Sequence, residues 1–160
     1  MSNFYYLDTS AFIKRYMEEM GSEAVRNLLK KKEQFFISKI AYVELLMTFS
    51  RKKNEGMISN EELIRWIDRF RKDWLALNIV ELSNEILKTL EEKVSKYALK
   101  APDAIHLSSA LWLNNRLTNN VIFVCADNAL KKKAALEGLN IWDPIEIEQG
   151  TQDKGKNGRQ

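Results

Sequence analysis

The sequence predicts an α/β fold, a three-layer sandwich whose mainly parallel central sheet is covered by helices on both faces. Short apolar segments alternate with longer amphipathic segments along the chain, and polar turns separate them. Strands that alternate with helices form right-handed crossover units, which bring successive strands parallel into one sheet. With 160 residues the chain is long enough for one domain with its own core, and we assign residues 1–148 to that domain.

The first third of the chain predicts two strands that are separated by helices. Residues 4–7 are an aromatic-rich apolar run that ends abruptly in the polar residues 8–10, where Thr9 is the expected helix cap. Residues 22–32 carry apolar side chains at helical spacing and end in lysines, which favour the carboxyl end of a helix. Residues 35–38 are short and mostly apolar, which is typical of a strand.

The middle third predicts two long helices, a strand and a further helix. Apolar side chains recur at helical spacing from residue 40 to residue 51, and Gly56 breaks that helix. Residues 59–77 are strongly amphipathic, with a serine cap and glutamates in the first turn. The apolar residues 79–82 form the third predicted strand, and residues 83–94 form a helix that begins at its own serine cap.

The last third predicts a helix, a strand, a second helix and a short final strand. A proline in the first turn favours the start of the helix over residues 101–115. Residues 121–125 give the clearest strand of the chain and lead into a helix over residues 129–137, which a glycine closes. A strand over residues 139–142 is stopped by a proline. Residues 149–160 contain no apolar side chain and are expected to form a disordered tail.

The composition bounds the class of protein and its compartment. Hydrophobic residues make up 45% of the chain and charged residues 29%, which is typical of a soluble globular protein and excludes an intrinsically disordered one. The single cysteine, Cys125, cannot form an internal disulfide and predicts a reducing compartment, for which the cytoplasm fits best. No segment reaches the roughly 18 consecutive apolar residues of a membrane helix, so we expect neither membrane insertion nor secretion.

Four basic runs stand out although the net charge of the chain is only +3. Each run has an ordinary interpretation as a solvated helix end, where cations complement the helix dipole. Because the chain also carries carboxylates that suit work on a polyanion, the runs together favour contact with a phosphate backbone. The runs lie at residues 30–32, 51–53, 69–72 and 131–133.

Two acids follow predicted strands at the points where those strands end. Asp8 follows residues 4–7, and Asp127 follows residues 121–125. Ligands of open parallel sheets bind just beyond the carboxyl ends of the strands, at the point where the strand order reverses. We therefore expect both carboxylates above the same edge of the sheet.

Two further acids lie in otherwise apolar helical segments. Glu44 lies within the run from Ile40 to Met47, where a buried carboxylate needs a partner, and Asp103 lies in the first turn of an apolar helix. Each acid alone also has a structural interpretation: Asp8 and Asp127 as strand-end caps, Asp103 as a helix-initiating acid, Glu44 as a surface residue. Their joint placement favours a site.

If Asp8, Glu44, Asp103 and Asp127 converge, their mutual repulsion raises some of their pKa values unless cations neutralise them. An all-oxygen ligand set without a thiolate suits Mg²⁺ or Mn²⁺ better than zinc or copper. Such ions activate water and stabilise the leaving oxygen of a phosphodiester. We therefore predict that these four acids bind metal and carry the catalysis of a nuclease, in which histidine is not required.

The ordered set of motifs resembles the PIN-domain nucleases, in particular the VapC-type toxins of prokaryotic toxin–antitoxin pairs, over nearly the whole chain. The resemblance implies a PIN-like fold and metal-dependent cleavage of RNA, commonly leaving a 5′-phosphate. It also implies an antitoxin that blocks the groove. The motifs are YLDTSA at residues 6–11, AYVEL at 41–45, PDAIHL at 102–107 and VCADN at 124–128.

The chain departs from the family pattern at two positions. The family commonly carries Thr or Ser where Cys125 stands, and Cys125 is expected simply to pack. Family members often have a further acid near the position of Asn128. Asn128 would bind the metal ion or orient a water molecule without adding negative charge. Ser10 is the other residue expected to support the metal site, through a hydrogen bond to Asp8 or to a metal-bound water, although its alternative role is a helix cap.

His106 and an aromatic stripe have competing interpretations. His106, the only histidine, lies three positions after Asp103, so a general base is one hypothesis and a packed or capping histidine is the favoured one. Trp66, Phe70 and Trp74 recur every four residues. Core packing or a homodimer seam is favoured for this stripe over a base-stacking surface, and we expect a homodimer.

Three other functions stay open at this point. One is an RNA-processing nuclease without a toxin role. Another is a phosphatase or dehalogenase-like hydrolase that uses Asp8 as its nucleophile, which usually has a second acid two residues later, where this chain has Ser10. The third is a degenerate RNA-binding or complex-assembly module that keeps the fold without catalysis.

Overall fold

In a computed structural model, which describes residues 3–118 and 120–157, the five predicted strands form one parallel sheet. The strand order is β3-β2-β1-β4-β5, so the strand order reverses at β1. Helices cover both faces of the sheet, which confirms the predicted three-layer α/β fold. The strands are β1 Phe4–Leu7, β2 Gln34–Ser38, β3 Asn78–Val80, β4 Val121–Val124 and β5 Asn140–Trp142.

Eight α-helices lie within the described part of the chain, and a short 3-10 turn over Ile13–Arg15 follows the first of them. Six of the eight begin and end within a few residues of the predicted segments, and α1 begins at the polar residues 8–10, where a helix start is predicted. None of the described helices is long and apolar enough to cross a membrane. The helices are α1 Thr9–Phe12, α2 Ser22–Leu29, α3 Ile40–Asn54, α4 Asn60–Trp74, α5 Asn84–Val94, α6 Ala101–Arg116, α7 Asn128–Leu136 and α8 Pro144–Asn157.

Helix α8 differs from the sequence prediction, which has a disordered tail from residue 149. The helix begins at Pro144, a residue suited to the first helical turn, and the Asp143 carboxylate accepts a hydrogen bond from the Ile145 amide at 2.8 Å. The backbone is helical as far as Asn157, and residues 158–160 lie outside the described residues. Because residues 149–157 carry no apolar stripe, periodicity could not predict this extension.

The central strand β1 pairs with β2 on one side and with β4 on the other. Leu7, its last residue, is in register with both Ile37 and Val124. The next residue continues the pairing with β4, because the Asp8 amide donates to the Val124 carbonyl at 2.9 Å. The carboxyl ends of β1 and β4 therefore lie side by side, where the sheet topology predicts a ligand site.

Alternate residues of β1 enter different cores. Tyr5 and Leu7 pack with the helices on one face, whereas Tyr6 packs on the other face with α6, as the two-residue period of a strand requires. Tyr6 is fully buried and stacks on Phe123, with 5.7 Å between the ring centroids. The Tyr6 hydroxyl thereby lies beneath α6, next to the edge that carries Asp8.

The aromatic stripe of α4 belongs to the core. Phe70 is fully buried, and its ring centroid lies 6.0 Å from that of Phe49 on α3. Trp66 and Trp74 flank it, with centroids 5.3 Å from Phe49 and 5.5 Å from Phe70, respectively. This packing confirms the core interpretation, since it joins α4 to α3, the helix that carries Glu44.

Candidate active site

Asp8 lies at the carboxyl end of β1 and is only 3% exposed. Its carboxylate is the N-cap of α1, because Oδ2 accepts a hydrogen bond from the Ser10 amide at 3.1 Å. The predicted cap, Thr9, is instead the first residue of the helix. The reason is that Asp8 has the extended backbone of a cap and its carboxylate reaches the free amides of the first turn.

Ser10 links the ends of β1 and β4. Its hydroxyl donates a short hydrogen bond to Asp8 and accepts one from the Ala126 amide at 3.1 Å. The predicted hydrogen bond from Ser10 to Asp8 is therefore present. A single hydroxyl bridges the two strand ends and holds one oxygen of the Asp8 carboxylate.

Cys125 packs at the same junction, as expected. It is fully buried, and its sulfur lies 3.7 Å from Asp8 Oδ2 and from the Ser10 hydroxyl oxygen. Burial, and then the charge of Asp8, raise the pKa of the Cys125 thiol far above its usual range. The thiol therefore stays neutral and contributes a weak donor to Asp8.

Asp127 caps α7 beyond the end of β4. Its Oδ1 accepts a hydrogen bond from the Leu130 amide at 2.7 Å, and the residue is exposed. Asn128 follows as the first residue of α7 and is also exposed. Among the described residues none hydrogen bonds to the Asn128 side chain, so its supporting role stays a prediction.

Glu44 on α3 is half-buried and receives two hydrogen bonds on one oxygen. The Thr9 hydroxyl donates to Oε2 at 2.7 Å, and His106 Nε2 lies 2.7 Å from the same oxygen. Burial raises the pKa of Glu44, but the hydrogen bonds and the charge of His106 outweigh burial and leave the pKa below its usual range. The carboxylate of Glu44 is therefore ionised at neutral pH.

The pKa of Asp103 depends on the charges of the three other predicted acids. Burial in the first turn of α6 raises the pKa of Asp103, and the charges of Asp8, Asp127 and Glu44 raise it further, against a smaller opposing effect of His106. Repulsion of this kind acts between carboxylates that face the same space. The three other acids therefore add to the effect of burial on the pKa of Asp103, and the binding of a metal ion by all four acids stays a prediction.

The contacts of His106, like the hydrogen bond from Thr9 to Glu44, were not predicted from the sequence. His106 is 1% exposed, and besides Glu44 it contacts the Tyr6 hydroxyl, which lies 3.0 Å from Nδ1. Burial lowers the pKa of His106, but the charge of Asp8 and the bond to Glu44 outweigh burial and raise it. The helical spacing from Asp103 gave no sign of this network, because it joins α6 to β1 and α3.

The donor set fits a hard divalent cation in chemistry but is not preformed in geometry. Within the described residues, no group of three or more His, Cys, Asp or Glu side chains is arranged to hold a metal ion. The four acids offer only oxygen atoms, the ligands that Mg²⁺ and Mn²⁺ prefer. Burial, and then the charges of Asp8 and Asp127, raise the pKa of Asp103, and a cation would offset the effect of these charges.

A further strand-end acid, Asp143, was missing from the sequence predictions. It follows β5 at the same edge of the sheet and is 5% exposed. Lys131 on α7 forms an ion pair with it and another with Glu146, at 2.8 Å. Because Lys131 neutralises Asp143, this carboxylate serves the scaffold and is distinct from the four acids.

Most of the basic runs do not lie at the acid edge. Residues 30–32 and 69–72 directly precede the starts of β2 and β3, which places them at the opposite edge of the sheet. Arg51 and Lys52 at the end of α3 pair with Glu55. Only the run at residues 131–133 begins within a helical turn of a site acid, so the topology favours phosphate contact by this run, and contact by the other three stays a prediction.

Comparison with known proteins gives one family and one fold. Residues 5–136 match the PIN domain family. The ribonuclease VapC45 of Mycobacterium tuberculosis is 28% identical to this chain over 106 residues, which are 66% of this chain and 74% of that protein.

Two solved structures share the architecture of the chain. VapBC2 from Rickettsia felis, bound to a DNA fragment from their promoter, has a TM-score of 0.62 at 18% identity and covers 88% of this chain and 98% of that chain. A toxin–antitoxin complex from Klebsiella pneumoniae has a TM-score of 0.59 at 20% identity, over 88% of this chain and 97% of that chain. At these identities the likeness concerns the fold alone, and it agrees with the three-layer α/β sandwich.

Proposed function

The chain belongs to the PIN domain family, and from this premise we propose that it is a metal-dependent endoribonuclease, the toxin of a toxin–antitoxin pair. The observation that carries the proposal is the placement of Asp8 and Asp127 beyond the carboxyl ends of the neighbouring parallel strands β1 and β4. Four carboxylates at the switch point of a parallel sheet are suited to phosphodiester hydrolysis assisted by metal.

Asp8, Glu44, Asp103 and Asp127 would hold one or two Mg²⁺ or Mn²⁺ ions. When bound, such an ion supplies the charge that activates water and stabilises the leaving oxygen. Ser10 holds Asp8 in one orientation, and Thr9 does the same for Glu44.

RNA as the substrate is supported by the name of the relative VapC45, which is a ribonuclease, and by basic side chains next to the acids. Lys100 directly precedes α6, which carries Asp103, and Lys132 lies in α7, which Asp127 caps. Both lysines are exposed. Cations at these positions would attract the phosphate backbone of a bound strand.

A cognate antitoxin, a homodimer and a cytoplasmic location complete the proposal. The solved complex from Klebsiella pneumoniae is a toxin–antitoxin pair. For the homodimer, α5 exposes Leu87 and Val94 at 40% and 67% beside a cavity of about 370 Å³ between α5 and α6, an apolar face suited to a second copy. The free, buried Cys125 requires no oxidising compartment.

Replacement of Asp8 by Asn is the direct test. RNA cleavage by the purified chain with added Mn²⁺ should fall at least 100-fold in D8N, while circular dichroism reports an intact fold. D68N is the matched control, because Asp68 is an exposed acid paired with Lys72 on α4. Cleavage by D8N at the wild-type rate would refute the nuclease assignment.

Two further measurements separate the other candidates. Phospho-aspartate trapped at Asp8 would indicate the phosphatase or dehalogenase-like chemistry instead. Metal-independent RNA binding that survives D103N, without cleavage, would indicate a degenerate binding module. Growth arrest on expression that D8N relieves would support the toxin role over a housekeeping nuclease.

A further inference from the structure

The Tyr6 hydroxyl is buried directly behind the acid site. Tyr6 is fully buried, two residues before Asp8, and its ring meets that of His106 edge to face, with centroids 6.0 Å apart. The hydroxyl lies 3.0 Å from His106 Nδ1. A polar group at this depth needs a hydrogen bond, and the imidazole supplies it.

The hydrogen atoms around Glu44 assign the tautomer of His106. Glu44 Oε2, Thr9 Oγ1 and His106 Nε2 form a triangle, with sides of 2.7, 2.7 and 3.0 Å. The ionised Glu44 carboxylate only accepts, and the single hydroxyl hydrogen of Thr9 is donated to it. His106 Nε2 must therefore carry a hydrogen, since otherwise two acceptors would face each other.

The other side of the ring follows from this assignment. In the neutral ring with Nε2 protonated, Nδ1 is an acceptor. In that neutral ring, the Tyr6 hydroxyl, which lies 3.0 Å from Nδ1, donates its hydrogen to this nitrogen. A chain of hydrogen bonds thus runs from Tyr6 through His106 to Glu44.

Among the described residues, both hydrogen bonds of the Glu44 carboxylate end on Oε2. A carboxylate that is held through one oxygen keeps the other oxygen in a fixed direction. Oε1 of Glu44 is therefore the oxygen that remains for a cation at the acid cluster. His106, at 1% exposure, lies behind this carboxylate and out of reach of a substrate.

We propose that Tyr6 and His106 are positioning residues for Glu44: the tyrosine hydroxyl holds the imidazole ring through Nδ1, and the ring holds the Glu44 carboxylate through Nε2 for cation binding. The proposal rests on the proposed metal-dependent nuclease. Outer hydrogen bonds of this kind typically change metal affinity by about 10–100-fold when they are removed. Tyr6, a residue of the sheet core, thereby determines the affinity of a site that it does not touch.

Nitrogen NMR tests the tautomer directly, because the chain contains a single histidine. The spectrum is taken at the alkaline end of a pH series, where the ring is neutral. We expect Nε2 to be protonated and Nδ1 to be an unprotonated, hydrogen-bonded nitrogen. Tyr6→Phe should move the Nδ1 resonance to the position of a free acceptor, and Tyr5→Phe is the matched control, since it removes a hydroxyl from the adjacent residue on the other face of β1.

A protonated Nδ1 with an unprotonated Nε2, or an Nδ1 resonance that Tyr6→Phe leaves unchanged, would overturn the tautomer assignment. Both measurements are independent of nuclease activity. They therefore hold or fail separately from the proposed function.

Manganese binding to the metal-free chain tests the effect on Glu44. We expect Tyr6→Phe to weaken Mn²⁺ binding, measured by electron paramagnetic resonance, by about 10-fold, with Tyr5→Phe unchanged. His106→Leu should weaken it more, and His106→Gln, whose amide can donate to Glu44, should restore part of the affinity. In RNA cleavage at fixed Mn²⁺, kcat should fall in Tyr6→Phe while KM for RNA stays constant.

Two outcomes separate the two proposals. If the wild type binds Mn²⁺ and cleaves RNA while Tyr6→Phe binds Mn²⁺ equally well, the positioning role is refuted and the nuclease stands. If the wild type neither binds Mn²⁺ nor cleaves RNA, the proposed function and the positioning role toward a cation both fail, whatever the tautomer.

Discussion

Arg15 and Asp73 form a two-point ion pair, with Nε 2.5 Å from Oδ2 and Nη2 2.6 Å from Oδ1. Arg15 ends the 3-10 turn that follows α1, and Asp73 lies in the last turn of α4. Both side chains are mostly buried, and the Tyr16 hydroxyl donates to the same carboxylate at 2.8 Å. The pair therefore fixes the segment that follows Asp8 against α4.

Arg15→Lys is expected to lower the free energy of unfolding by about 1–2 kcal/mol, because lysine keeps the charge but cannot make both contacts. Urea denaturation measures the change. The matched control is Arg26→Lys, which alters a two-point pair with Glu18 whose carboxylate is 82% exposed, and it should change stability by no more than about 0.5 kcal/mol. Equal losses in the two variants would refute a special role for the Arg15 pair.

Asp103→Asn is expected to stabilise the metal-free protein at pH 7. Burial, and then the charges of Asp8 and Asp127, hold the pKa of Asp103 above its usual range. A carboxyl group with a raised folded pKa stabilises the fold below its unfolded pKa, and this contribution is lost as the pH rises through the folded pKa. Asparagine resembles the protonated form, so we expect a gain on the order of 1 kcal/mol after solvent screening, or about 2–4 °C in Tm.

Thermal unfolding at two pH values tests the sign of this effect. The gain of Asp103→Asn should disappear below about pH 3.9, the usual unfolded pKa of aspartate. Added Mn²⁺ should raise the Tm of the wild type and have little effect on the variant. A variant that is less stable than the wild type in metal-free buffer at pH 7 would contradict the charge cluster.

Glu137→Gln is expected to destabilise the protein at pH 7. Burial raises the pKa of Glu137, but hydrogen bonds from Lys93 at 2.6 Å, Lys96 at 2.5 Å and Tyr97 at 2.8 Å outweigh burial and lower the pKa to about 2. A group with a lowered folded pKa stabilises the fold above its unfolded pKa and loses that contribution as the pH falls through about 2. We expect a loss of about 1 kcal/mol, because Lys96 is exposed and screened.

Chemical denaturation between pH 7 and pH 2 measures this contribution. The difference between wild type and Glu137→Gln should shrink steadily below about pH 4.3, where the unfolded carboxylate takes up its proton. Glu92→Gln, a change at an exposed glutamate of α5, provides the control and should leave the pH profile unchanged. A difference that stays constant down to pH 2 would indicate a packing effect instead of a charge effect.

Lys131→Met is expected to destabilise the protein more than Asp143→Asn. The lysine change leaves the carboxylate of Asp143, which is 5% exposed, without its cation, and an unpaired buried charge costs about 3–5 kcal/mol. Asparagine removes the charge and can still accept the Ile145 amide hydrogen bond that begins α8. Thermal unfolding of the two single variants compares the losses, and the reverse order would refute the pairing.

Lys132→Gln is expected to weaken RNA binding uniformly across sequences and to reduce the salt dependence of the binding constant by about one unit of slope. The exposed lysine lies in α7, near the acid edge, whereas Lys30 at the end of α2 lies at the opposite edge. Lys30→Gln is therefore the control. Both substitutions are made in a catalytically inactive variant, and the RNA-binding constant of each is measured at several salt concentrations. An equal salt dependence in the two variants would argue against RNA binding along α7.

The part of the site that follows from sheet topology could be predicted from the sequence. Asp8 and Asp127 follow strands, and the ends of neighbouring parallel strands meet at one edge. Glu44 and Asp103 lie on helices, and their positions depend on how each helix is rotated about its axis. Apolar periodicity indicates which helix face packs inward, but it does not give the position of that helix on the sheet. Their electrostatic coupling to the strand-end acids is a property of the packed structure.

The hydrogen bonds of the site could not be predicted, because they join elements that are far apart in the sequence. Thr9 contacts Glu44 across 35 residues, and His106 contacts Tyr6 across 100. Local spacing assigned Thr9 to a cap and His106 to packing, since each role is the commoner one for a residue in that position. Only the docking of α1, α3 and α6 on the sheet decides which donors reach which carboxylate.

The central pairing of β1 with β4 has a consequence for synthesis of the chain. The amide of Asp8 is held by the carbonyl of Val124, and the hydroxyl of Ser10 by the amide of Ala126. Asp8 is the first acidic residue of the chain to be synthesised, and the strand that holds it is made more than a hundred residues later. A nascent chain that ends before β4 lacks these two contacts, so the carboxylate of Asp8 cannot take up its final position until β4 has been synthesised.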